Sequence, residues 1–137
     1  MKFLLALLFL IPLLQTETAT VYFYRVEEVG RLDSRKVEVK LEGKGLLSMP
    51  EENFIGFKVP PGKYGLKMRQ KQSELLLTAE AGKTYYIRVS QTASGFGMNQ
   101  SLTFMQPEQA VYQMRDMKLL EDKNIKNKAL EVVREKP

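Results

Sequence analysis

Asn53 to Met68 reads NFIGFKVPPGKYGLKM, and this stretch decides the fold. Ile55, Phe57 and Val59 alternate with other residues, as in a strand with one buried face. Pro60-Pro61-Gly62 then stops the strand. Two prolines restrict φ and remove two backbone donors, and the glycine tolerates positive φ, so the chain must turn. Tyr64, Leu66 and Met68 next alternate with Lys63, Lys67 and Arg69, which predicts a second half-buried strand. Period-two patterning on both sides of a turn is the mark of a β protein.

The same grammar extends in both directions. Upstream, 19–26 (ATVYFYRV) is β-branched and aromatic and apolar on both faces, which predicts a central strand. Residues 35–42 put Val37, Val39 and Leu41 on one face and Lys36, Glu38, Lys40 and Glu42 on the other. A turn at 42–45 (EGKG) leads to a short strand at 46–49. Downstream, 74–80 (ELLLTAE) and 84–90 (TYYIRVS) read as strands joined by a tight turn at Ala81-Gly82-Lys83. Residues 91–100 read as a polar loop, and 101–106 as the last strand.

Pro107 and Glu108 then suit the start of a helix. Ala110, Val111, Met114, Met117 and Leu120 recur at helical spacing, predicting a packed helix over 107–121. The polar residues 122–137 carry only a weak helical stripe of Ile125, Ala129, Val132 and Val133, and read as a marginal helix or a disordered tail. With about seven to eight short strands, the expected fold is mainly β: an antiparallel β-sandwich over 19–106 with a C-terminal helix.

The first 18 residues read differently. Lys2 precedes Phe3 to Leu14 (FLLALLFLIPLL), an apolar run of 12 residues interrupted by Pro12. Crossing a bilayer takes about 20 apolar residues. A short run behind a positive charge reads instead as a secretory signal, with Thr16 and Thr18 at the −3 and −1 positions of a cut before Ala19. Export to the periplasm or the extracellular space follows, with no membrane span left after cleavage.

The chain has no cysteine and no histidine. That removes disulfides, thiolate nucleophiles, a lipoprotein anchor, and His- or Cys-based metal and acid–base chemistry. The expected protein is a non-enzyme without cofactor or metal, and a cofactor-free hydrolase using Ser, Lys or carboxylates is the enzymatic alternative. The net charge of +5 admits an anionic envelope or extracellular polymer as partner. Nucleic acid is not expected for an exported chain.

Three segments resemble a known family. FKVPPGKYGL at 57–66, AEAGKTYYIRV at 79–89 and the opening ATVYFYRV are similar to domain of unknown function 2846, over about residues 19–105. The resemblance implies a small exported β-sandwich and transfers no catalytic residue. The family's turn commonly runs on to a His where this chain has Tyr64, and many bacterial members carry the lipoprotein Cys that this chain lacks.

Few residues invite a functional reading. Lys63, Lys67, Arg69 and Lys71 fall on the outer side of one strand and are the candidate anion-binding face. The plainer reading of the same row is a solvated face, or a guard on an exposed edge. Asn99-Gln100-Ser101 is an N-glycosylation sequon if the source is eukaryotic. Gly95-Phe96-Gly97 lacks the helix start that a phosphate-cradling loop needs. The pairs Glu27-Glu28 and Glu51-Glu52 are adjacent, and neighbours on a strand point to opposite faces. The reading that remains is binding or structural association, with anion recognition by the basic strand as the alternative.

Overall fold

The computed structural model describes residues 17–27, 35–68, 74–94 and 97–137, the last two ranges including 93, 94, 97 and 98 by backbone alone. Residues 1–16, the greater part of the stretch 1–18 read above as a secretory signal, lie outside them, together with Glu28, Arg69, Lys71, Gly95 and Phe96. The fold is a β-sandwich of two sheets with a C-terminal helix.

The chain moves between the sheets as it goes. β1 (Ala19–Arg25) lies in the larger sheet. β2 (Val37–Leu41) and β3 (Lys44–Met49) form a hairpin in the smaller one. β4 (Asn53–Val59) returns to the larger, and β5 (Gly62–Met68) and β6 (Leu75–Ala79) add a second hairpin to the smaller. β7 (Thr84–Ser94) and β8 (Gly97–Phe104) close the larger sheet. The orders are β4-β1-β7-β8 and β3-β2-β5-β6. The Pro60-Pro61-Gly62 turn therefore joins strands that do not pair with each other. It arches from one sheet to the other, with the Tyr64 hydroxyl donating to the Pro60 carbonyl at 2.6 Å. In the β2–β3 hairpin, Glu42 (φ 51°) and Gly43 (φ 77°) both take positive φ. That is the backbone of a two-residue turn whose twist suits the strands.

β1 is central, antiparallel to β4 and parallel to β7. Its two apolar faces have separate jobs. Val21 and Phe23 enter the main core with Val39, Leu47, Phe57 and Ile87. Tyr22 and Tyr24 face the other way, under the helix, with Phe54, Ala110, Met114 and Met117.

The C-terminal part departs from the sequence expectation. The helix α1 spans Pro107–Met114, not 107–121. Ala110 and Met114 are buried, but Val111 is exposed. Met117 and Leu120 are buried from extended chain. β9 (Lys118–Leu119) pairs parallel with the start of β4, where Lys118 N–H donates to the Glu52 carbonyl and Leu120 N–H to that of Phe54.

The tail over 122–137 is neither a helix nor disordered. A 3₁₀ turn at Asp122–Asn124 brings Ile125 into a bridge with Leu47 of β3, and β10 (Glu131–Val133) pairs antiparallel with β4. With Leu120 and Ile125 buried in the main core, the tail seals the β3–β4 side of the sandwich. A helix there would leave the backbone edge of β4 unpaired, whereas strand addition satisfies it. The described strands number ten rather than seven or eight because of these two short additions.

Candidate functional site

The basic row comes first. Lys63 and Lys67 are exposed on the outer face of β5, while Leu66 and Met68 are buried and Tyr64 half-buried, as the alternation predicts. β5 lies between β2 and β6, so the lysines do not guard an edge. Arg69 and Lys71 fall outside the described residues.

Acids interrupt the row. Gly65 lies between the two lysines, and the Glu74 carboxylate rests on it: a Cβ built on Gly65 would meet the carboxyl carbon at 2.5 Å. The Gly65 N–H donates to Glu42 Oε1 at 2.7 Å, and the Glu42 N–H returns a bond to the Gly65 carbonyl at 2.8 Å. The face is thus a mixed one, Lys63 and Lys67 with two carboxylates at the glycine between them.

Asn99 lies in β8 opposite Thr92, not in a loop. Residues 91–94 and 97–100 pair in the outer part of the β7–β8 ladder, where Gln100 Nε2 donates to Gln91 Oε1 across the strands at 2.7 Å. Polar side chains that read as a loop pair here as a ladder. Asn99 and Ser101 are both exposed on the free side of the hairpin. Among the described residues no three acidic side chains converge to hold a metal ion. Glu51 has a structural neighbour instead: Arg25 Nη2 lies 3.7 Å from its Oε1. Arg25 is fully buried, and its Nη1 donates to the Arg35 and Met49 carbonyls at 2.9 Å each, tying the β1–β2 connection to the end of β3.

The feature that sequence reasoning missed is the other side of the sandwich. β6 ends one sheet and β8 ends the other, and no described strand pairs with either outer edge. At one end lies a cavity of about 150 Å³ lined by Leu66, Lys67, Met68, Glu74 and Leu75 with Ser101 and Leu102, so a lysine and a carboxylate border it. At the other end the two strands part into a groove of about 420 Å³, lined by Leu76, Leu77, Thr78, Thr84, Tyr85, Tyr86, Phe104, Met105 and Pro107. None of these nine side chains is charged. Leu76 is 72% exposed and Phe104 44%. The run Leu75-Leu76-Leu77 held the signal. Strand neighbours point to opposite faces, so three consecutive leucines cannot all enter one core.

A second groove of about 410 Å³ runs between α1 and the chain end, beside Val111, Tyr112 and Arg115. Its rim is structural: the Arg115 guanidinium stacks 4.7 Å from the Tyr112 ring centre, and Lys136 donates to the Arg115 carbonyl at 2.5 Å.

Among curated proteins and solved structures, none matches the chain. Residues 15–101 match the family described as protein of unknown function (DUF2846), and the chain belongs to that family.

Proposed function

We propose that this chain is an exported, non-enzymatic β-sandwich that works by binding or structural association, and that the open β6–β8 side is the surface it uses. The carrying observation is the uncharged groove with Leu76 exposed at its rim. An apolar side chain that large, on an unguarded sheet edge, is a liability unless something covers it. Export is supported by Lys2 and the short apolar run 3–14, and by a family match that begins at residue 15, where that run ends. The anion-recognising alternative has less support, since Glu42 and Glu74 sit within the basic row.

The test is a photo-activated cross-linker placed at Leu76 of the full chain in its native host, with Lys123 on the sealed side as control. The reading expects an exported protein that loses its first 15–20 or so residues and gives a cross-linked product of defined mass at position 76 and none at 123. Retention in the cytosol ends the export part. Silence at 76 ends the binding part.

A further inference from the structure

Leu76, Phe104, Val111 and Tyr112 are the large apolar side chains that stand exposed among the described residues, and they form one band. Leu76 and Phe104 line the β6–β8 groove, which runs on to Pro107 at the start of α1. Val111 lies one helical turn beyond Pro107 on the same side of α1. It lines the second groove together with Tyr112. A surface helix normally turns polar residues outward. α1 buries Ala110 and Met114 and still presents Val111 and Tyr112 on its outer side.

Cations border both ends of the band. At the β6 end, Lys63 is exposed directly across from Thr78 of the groove lining. At the helix end, Arg115 and Lys136 line the second groove. Both are held in place: the Arg115 guanidinium by its stack on Tyr112, and the Lys136 ammonium by the Arg115 carbonyl and by the Phe54 ring, 5.7 Å from its centre. Among the described residues no carboxylate pairs with Lys63 or Lys136. The acids nearby are few. Glu80 is taken by Lys83, Asp116 lies 3.5 Å from Arg115 Nε, and Glu108 is the one acidic side chain lining either groove. The chain as a whole carries +5, and loss of residues 1–18 removes Lys2 and Glu17 together and leaves that charge unchanged.

An apolar band with cations at its ends suits an anionic interface, where apolar side chains enter the boundary below the headgroups and cations meet the phosphates. A small ligand would fill one groove and leave the other bare, whereas an extended surface meets both. Resting on the proposed function, we infer that the open side docks on the surface of an anionic lipid bilayer, with Leu76, Phe104, Val111 and Tyr112 entering the headgroup boundary and Lys63, Arg115 and Lys136 meeting lipid phosphates. Among the described residues no helix is long and apolar enough to cross a membrane, and the contact is with one leaflet.

Vesicle flotation of the protein as processed by its host tests this. Vesicles of equal parts phosphatidylcholine and phosphatidylglycerol should bind it at least about tenfold tighter than pure phosphatidylcholine, and the binding should weaken as salt rises from about 0.05 to 0.5 M. Leu76→Ser combined with Phe104→Ser should weaken it at least about tenfold, with unchanged circular dichroism because both side chains are exposed. Lys136→Gln should cost about fivefold on the mixed vesicles and nothing on pure phosphatidylcholine. The chain has no tryptophan. With mixed vesicles, emission from Tyr112→Trp should therefore shift to the blue, and that from Lys123→Trp on the sealed side should not. No binding to mixed vesicles at low salt, or binding that the double serine variant keeps in full, overturns the inference. A protein of defined mass cross-linked at position 76 of a chain that no vesicle binds overturns the membrane contact and leaves the binding reading standing. With neither vesicle binding nor a cross-link, both fail.

Discussion

The Glu74 carboxylate lies on the backbone of Gly65, so close that a methyl group on Gly65 would meet its carboxyl carbon at 2.5 Å. Gly65 is the gap between Lys63 and Lys67, so an acid from the start of β6 fills the middle of the row on β5. What alternation alone presents as a line of cations is a line broken by a carboxylate from the next strand.

Polyanion binding should follow from that break. Lys63→Gln combined with Lys67→Gln is expected to lower the salt needed to elute the protein from heparin only slightly. Glu74→Gln, which removes the intervening acid, should raise it. A large drop for the double variant would restore the basic face as a site.

The two buried glycines in strands should respond differently to alanine. At Gly65 the new methyl meets the end of an exposed, flexible Glu74, which can swing away, so the expected loss of stability is below about 1 kcal/mol. At Gly56 it meets Val133 Cβ at 2.9 Å and the Tyr22 ring at 3.0 Å, where β10 packs on β4. Displacing β10 should cost about 1–3 kcal/mol. Thermal unfolding of the two variants side by side makes the comparison, and equal losses would contradict it.

The tail should behave as core. Leu120 and Ile125 are buried between the sheets beside Leu46 and Leu47. Replacing either with alanine is expected to cost about 2–5 kcal/mol, the range for emptying a packed aliphatic site. Ala129→Ser, on the exposed stretch between them and β10, should fall within about 0.5 kcal/mol. Urea denaturation of the three variants is the measurement.

Alkaline pH should loosen the outer face of the larger sheet. Burial pushes the Tyr24 hydroxyl up to about 12, against the weaker opposing effect of Arg88, and it donates to Gln113 Oε1 at 2.5 Å. Burial raises Tyr22 as well, helped by Tyr86 and Glu135. The unfolded chain releases these protons near the ordinary tyrosine value, about 10, before the folded one does. It then binds fewer protons than the folded state, so stability falls as pH rises. The contribution is whole below about pH 10 and is lost as pH passes through about 12. Tyr24→Phe should flatten the fall in melting temperature over that interval, and an unchanged slope would show that this hydroxyl plays no part.

The sequence by itself determined the β class, the positions of β1 to β6 and the first part of β7, the turns at 42–45, 60–62 and 81–83, and the inward residues of β5, while the outer β7–β8 ladder read as a loop. Each of these rests on a local cause: period-two burial, the φ limits of proline, the tolerance of glycine. The family was legible for the same reason, in three segments that are strands or the turns between them. What only the tertiary structure decided was where strands found partners beyond their neighbours. Pro60-Pro61-Gly62 demands a turn whether it joins paired strands or arches between sheets, and the difference lies in which strands flank it. Ile125, Val132 and Val133 read as a faint helical stripe, because apolar residues in a polar tail have no period of their own until the edge of β4 and the side of the core take them up. Leu76 carries no mark distinguishing it from Leu77. One points into the core and the other into solvent, because the register with β5 puts Leu77 opposite Tyr64 and Leu76 opposite Gly65. Pairing of that kind is a relation between distant segments, and no window of sequence around either leucine contains it.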